Sequence, residues 1–344
     1  MTSPLHRLLP PPAALLTVSA FVVALSGVGA AAQSPGTVSA EAPTALRISG
    51  PAFGVELEVE VLDLPRPAGE KALNAAWDAV VGAERELGTL IAAARTGRAA
   101  LSPDLVDLMA RASAFCTWSD GASGPTGGAV YRLWDEGSRS GALPTPDRLE
   151  EAATTTKCSR LTLDSEIRSL ELAAGSELDL RGFARGWAVD LAVRAVVAAG
   201  ARNLRVALGP VTRGLGPGPG GKGWPVFLPT LSTSGSPGSR VLLLDQAIAV
   251  ADPGTTAFEV AGERILPAFD LRSGRPATGV SSVAAVTTLA ADAEPLALAM
   301  SVLGANGGQL RLGSLRPKPS VLWLLGSGAT AVVASSNWSA VRKP

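Results

Sequence analysis

Histidine is nearly missing from this 344-residue chain, whose single copy is His6. Catalysis by Ser-His-Asp or Cys-His arrangements, and any zinc site built on imidazole, would depend on that one ring. Cysteine is also scarce: Cys116 and Cys158 are too few for a thiolate zinc site. Any metal held here is therefore a hard ion on oxygen ligands. Excess charge of either sign is absent, the formal net charge being +0, which removes the electrostatic case for nucleic acid or an anionic membrane surface. Beyond the first 32 residues no apolar run is long enough to span a bilayer. With 47% hydrophobic residues, the chain is long enough for one large domain or two ordinary ones.

The N-terminus has the order of a secretory signal. His6 and Arg7 form a short basic start, Ala13 to Leu25 is apolar, and Ala30-Ala31-Ala32 offers a small-residue cleavage site. Residues 1–32 are read as a signal peptide, the alternative being an uncleaved anchor, and 33–45 as a flexible leader rich in Ser, Pro, Ala and Gly. Cleavage would leave no histidine in the mature chain. Export would also let Cys116 and Cys158 form a disulfide, the alternative being two buried thiols.

Residues 46–338 form the folded body. Val55–Val61 alternates apolar and acidic residues, the period of a strand with one wet face. Pro65–Ala94 carries helical spacing. Ser102-Pro103 and Thr145-Pro146 each pair a capping hydroxyl with proline in the first turn and open two further helices. Strand-like runs at Leu161–Leu163 and Ser169–Ala173 suggest a hairpin. A helix from about Phe183 ends at Gly200, the strand Leu204–Leu208 follows, and Gly214–Gly223 is read as a loop in which Pro217 and Pro219 rule out a phosphate-binding helix start. Further strands are expected at Val241–Leu244, Ala257–Val260, Val280–Thr287, Val321–Leu325 and Thr330–Ala334, with a helix from Glu294-Pro295. Helices and strands interleave irregularly, which favours an α+β fold over a doubly wound sheet.

The stretch most suggestive of chemistry is DLRGFARGWAVD, Asp179–Asp190. A helix entrance leaves backbone N–H groups unpaired at the positive end of the dipole. Gly182, Ala184 and Gly186 would admit a ligand close to the backbone, and Arg185 adds a charge suited to phosphate oxygens. The competing reading is a helix packed tightly on a sheet, with its arginines in solvent.

The run Leu178–Gly200 resembles the signature of the ApbE family, close to DLGGIAKGYAVDRA. Other segments resemble the family in the same order: Gly50–Gly54 ahead of a strand, Ser102–Thr126, Tyr131–Trp134, Phe269–Pro276, and Ala291–Leu298 with Val302–Gly304 after it. The resemblance implies a single ApbE-like (T-fold-like) α+β domain of mostly antiparallel sheet packed with helices. It also implies an exported FAD:protein FMN transferase, which cleaves FAD as substrate and attaches FMN to a Ser or Thr hydroxyl of an exported acceptor protein, using Mg²⁺. Carried over by position, the flavin nucleotide would meet Ala122, Ser123, Gly124, Asp179, Arg185 and Asp270. The metal would meet the Gly182 carbonyl and Glu294.

Several positions depart from the family pattern. Pro267 stands where the family has the histidine implicated in catalysis, and Leu298 where it has a metal-binding threonine. Glu294 replaces an aspartate and Arg185 a lysine, while Ala122-Ser123-Gly124 replaces a segment with an aromatic and a carboxylate. Gly209-Pro210-Val211 replaces a Gly-Gly-Asp turn. The alternative function is thus a catalytically impaired relative that binds flavin or another nucleotide without turnover.

Overall fold

A computed structural model describes residues 45–228, 240–252, 257–325, 331–335, 337, 338 and 341. The signal peptide read at 1–32 and the segment Ser327–Thr330 lie outside the described residues. The Val55–Val61 alternation makes strand β2 as expected, with Leu57, Val59 and Val61 buried and Glu56 and Glu58 exposed, but Glu60, expected on the wet face, is buried and paired with Arg47 and Arg205. Its hairpin partner β1 (Leu46–Ala52) runs antiparallel, Leu46 facing Val61 and Ala52 facing Val55. Gly50–Ala52 therefore belongs to a strand, correcting the expectation of a lead-in before the first one. The connecting residues Phe53 and Gly54 have φ of 51° and 71°, the positive values that match a two-residue turn to strand twist.

β1 and β2 begin an eight-stranded antiparallel sheet. Its other strands, in both chain and spatial order, are β3 (Leu204–Leu208), β4 (Val211–Leu215), β5 (Gln246–Ala251), β6 (Val280–Thr287), β7 (Ser320–Leu325) and β8 (Ala331–Ala334). Gly214 lies inside β4 and not, as the sequence suggested, at the head of the following loop; a Cβ there would press on the Trp224 indole. In β5 and β6 alternate residues face two different cores. Ala247, Ala249, Val283 and Ala285 pack with the helices, whereas Ile248, Ala284 and Val286 pack with Trp224, Leu243 and Trp338 on the opposite face. Burial on both faces explains the unbroken apolar run in β6.

Six helices are described: α1 (Arg66–Ala94), α2 (Pro103–Trp118), α3 (Gly128–Ser140), α4 (Pro146–Thr154), α5 (Ala184–Ala198) and α6 (Ala290–Leu312). α1, α5 and α6 cover the main face of the sheet, with α5 central between the other two. Ser102 Oγ accepts from Leu105 N at 3.2 Å and Thr145 caps α4 in the same manner, as the serine- and threonine-proline pairs predicted. α3 was not read from the sequence. α6 corrects another expectation: it starts at Ala290, four residues before Glu294, so Pro295 lies within the helix rather than at its opening. Gly304, with φ 68° and ψ 177°, interrupts it.

The hairpin expected at 161–173 forms from Leu161–Asp164 and Ser169–Leu172, with Arg98–Ala100 as a third strand beside it. Cys116, at the end of α2, and Cys158 are joined as a disulfide, which settles the pairing left open above. No helix among the described residues is long and apolar enough to cross a membrane.

Candidate functional site

Asp179–Asp190 crosses into α5, and several of its backbone donors are engaged within the protein. Asp179 N donates to Pro125 O, Arg181 N to Asp179 Oδ1, and both Phe183 N and Ala184 N to Leu180 O. Gly186 N, in the first turn, donates to Glu294 Oε2 at 2.8 Å. Arg185 Nε donates to the other oxygen of the same carboxylate, also at 2.8 Å. Glu294 is only 6% exposed. An internal anion, the Glu294 carboxylate of α6, thus occupies the helix entrance where the sequence suggested a phosphate. A carboxylate held by a guanidinium and a first-turn N–H satisfies both the charge and the helix dipole.

The arrangement is reciprocal. α6 has no cap from its own neighbours. Asp190, on α5, instead accepts from Ala290 N at 3.1 Å and Ala291 N at 2.9 Å, while Arg213 Nη1 lies 2.6 Å from Asp190 Oδ1. Each helix therefore supplies the carboxylate that caps the other. Close approach is what the glycines permit: a Cβ on Gly186 would collide with the Ala290 carbonyl oxygen, and one on Gly182 would lie 2.5 Å from Leu298 Cδ2. Asp190 carries no role in the sequence reading; the α6 amides it caps are about a hundred residues away, so no local pattern points to them.

The other expected nucleotide contacts, Asp179, Asp270 and Ala122–Gly124, are joined through backbone bonds of the 122–125 segment, Asp179 N donating to Pro125 O and Leu271 N to Ala122 O. Asp179 holds Arg181 through both carboxylate oxygens, and the Arg181 guanidinium sits 4.3 Å from the centroid of the Tyr131 ring. Burial, reinforced by Asp179, pushes the Tyr131 hydroxyl well above its usual range, leaving it a protonated donor 3.5 Å from Pro267 O. Asp270 is clasped by Arg272, whose backbone N, Nε and Nη2 lie 3.0, 2.9 and 2.7 Å from its oxygens. Ala122, Ser123 and Gly124 are buried. Ala122 O accepts from Leu271 N at 3.2 Å, which ties that segment to the Asp270 turn, and a Cβ on Gly124 would lie 2.6 Å from Cys116 Sγ. Beneath them, Trp134 stacks on Phe269 with ring centroids 5.2 Å apart.

The structure brings Gly182, Glu294 and Leu298 together, but not as ligands for a divalent cation. Leu298 offers no oxygen and its methyl group lies against Gly182, while both Glu294 oxygens are taken. Asp292 points to Arg111 at 2.8 Å. Among the described residues no group of three or more His, Cys, Asp or Glu side chains could hold a metal ion. Mg²⁺ requires near-octahedral oxygen ligation, and these residues do not fit it.

An antiparallel sheet covered by three helices, with an oxyanion held where two helix starts meet, defines an α+β protein with an anion-binding helix entrance. The chain belongs to the ApbE family, whose sequence pattern matches residues 71–320. It is 31% identical over 246 residues to the FAD:protein FMN transferase of Treponema pallidum (strain Nichols), a match spanning 65% of this chain and 67% of that one. Its identity to the FAD:protein FMN transferase of Vibrio cholerae is 24%, spanning 76% and 83% of the two chains. Among solved structures, the ApbE protein of Thermotoga maritima superposes with a TM-score of 0.73 at 22% identity, over 87% of this chain and all of that one. The flavin transferase ApbE of V. cholerae gives 0.69 at 20% identity, over 86% and 99%. These likenesses show the fold.

Proposed function

We propose that this protein is a flavin transferase that takes FAD as substrate and passes FMN to a Ser or Thr hydroxyl of an exported acceptor protein. Family membership and the names borne by its relatives support this reading. Within the site, the α5 entrance carries it: Arg185 Nε and Gly186 N–H already hold an oxyanion, and the same donors suit the oxygens of a pyrophosphate. In the reaction the acceptor hydroxyl oxygen bonds to the phosphorus on the FMN side. The bond from that phosphorus to the bridging oxygen breaks, and AMP departs with the electron pair. Arg185 would offset the charge gathering on the phosphate oxygens. The hydroxyl proton must pass to a carboxylate or to solvent, since Pro267 carries no imidazole. Export is proposed on the signal-like order of residues 1–32, and the Cys116–Cys158 disulfide suits an oxidising compartment.

Pro267 and Leu298 favour a second reading, a relative that holds flavin nucleotide without turnover. Flavin-fluorescence titration followed by co-expression with a flavin-acceptor domain separates the two. Covalent in-gel fluorescence with release of AMP supports transfer, and FAD binding without label supports the second reading. Absence of FAD binding sinks both. Arg185→Ala is expected to weaken FAD about tenfold, the loss of a single charge-assisted contact, while leaving riboflavin affinity little changed. Equal losses would remove Arg185 from the phosphates.

A further inference from the structure

The positions at which family resemblance places a divalent cation are Gly182, Glu294 and Leu298; here the Glu294 carboxylate is paired with the neighbouring Arg185 guanidinium and the Leu298 side chain lies against Gly182. Arg185 Nε stands 2.8 Å from Glu294 Oε1, and the second Glu294 oxygen is held by Gly186 N–H. Leu298 Cδ2 fills the space over Gly182. The side chains of Arg185 and Glu294 are 22% and 7% exposed, so the pair is shielded and its charges are matched by one another rather than by water. The two neighbouring carboxylates are committed elsewhere, Asp190 to the α6 amides and Arg213, Asp292 to Arg111. A dication entering here would face a fixed positive charge and an alkyl wall.

We infer that Leu298 and the Arg185–Glu294 ion pair together close this position to a divalent cation, the leucine filling the volume and Glu294 acting as the guanidinium's counter-ion rather than as a metal ligand. The inference rests on the proposed flavin reading only for what the charge serves. On that reading, FAD binding is independent of divalent metal, and a nucleotide phosphate reaches Arg185 by competing with Glu294.

The test uses the full mature protein and MgCl₂ or MnCl₂ alone, read by calorimetric titration and by thermal melting. The expected result is no saturable heat and no concentration-dependent rise in Tm. A saturable isotherm in the wild-type protein that disappears in Glu294→Gln would overturn the inference. In the double variant Glu294→Asp/Leu298→Thr, checked for a cooperative melt, a metal-dependent Tm rise is expected, and a silent, well-folded double variant would remove the cation from this position altogether. FAD titration with Mg²⁺ and with EDTA is a separate arm. Equal affinity in both supports the inference, and affinity that needs Mg²⁺ overturns it. Failure to bind FAD at all would end the flavin reading while leaving the metal titration valid.

Discussion

Glu84 reaches from α1 to the turn of the first hairpin, where its Oε1 accepts from Phe53 N at 3.1 Å. Burial raises its pKa above the ordinary value, and the Phe53 N–H only partly opposes this. A carboxyl that binds its proton more tightly in the folded state adds stability at acid pH and loses that contribution as pH rises through the folded pKa. Glu84→Gln, which keeps an acceptor for Phe53, is expected to be at least as stable as wild type at pH 7 and to gain less on acidification. Denaturant midpoints for the two proteins between pH 4 and 7 check this, and parallel curves would refute it. Single residues were legible where their partners are near in sequence. Asp270 sits beside the Arg272 that clasps it and heads a tight turn closed by Gly274 N to Asp270 O. Arg185 was read as facing an anion, and the one it holds is 109 residues away; spacing rules have no means of naming a partner at that distance.

At the scale of elements, the exchange of carboxylates between α5 and α6 makes Asp190 the α6 cap. Asp190→Ala would free the Ala290 and Ala291 amides and leave Arg213, already with an unpartnered buried Nε, without its counter-charge. A loss of about 3 kcal/mol is expected from the missing cap and the orphaned cation together, measured by urea unfolding; a loss within about 0.5 kcal/mol, typical of an uninvolved surface position, would deny the role. Elements with local start signals were readable, as at Ser102-Pro103 and in the alternation of β2. Those whose signals come from afar were not. α6 begins under the carboxylate of Asp190, so the first helix-opening signal in its own sequence is Pro295, five residues late. α3 starts at Gly128 with no side-chain cap, because its capping residue is Gly127, where a Cβ would lie 2.9 Å from Leu271 Cδ2; glycine demanded by packing hides the helix start. β1 was lost at a turn carrying Phe53 at φ 51°, outside the glycine and asparagine code for such turns.

For the whole molecule, the Cys116–Cys158 bond closes 42 residues of sequence that include α3, α4 and the segment Ala122–Gly124. A loop of this size corresponds to about 4 kcal/mol of restricted unfolded chain. Reduction, or Cys116→Ser with Cys158→Ser, should lower Tm by roughly 7 °C for a domain of this size. Differential scanning calorimetry with and without reductant reads it, and an unchanged Tm would show the bond to be dispensable. The fold class was legible because irregular interleaving of helices and strands survives errors at single boundaries. The order of the sheet was not, since β4 and β5 are neighbours although a thirty-residue excursion separates them.

Reciprocal capping also sets an order of events during synthesis. Residues 184–198 leave the ribosome about a hundred residues ahead of Glu294, so the first turn of α5 must wait with a donor that its own helix cannot satisfy. A nascent chain stopped before residue 290, or a split protein divided there, carries that entrance bare, positively charged and open to whatever anion the surroundings offer. In the finished protein the late-arriving Glu294 occupies that entrance, so an anion reaches it only by displacing a carboxylate already in place.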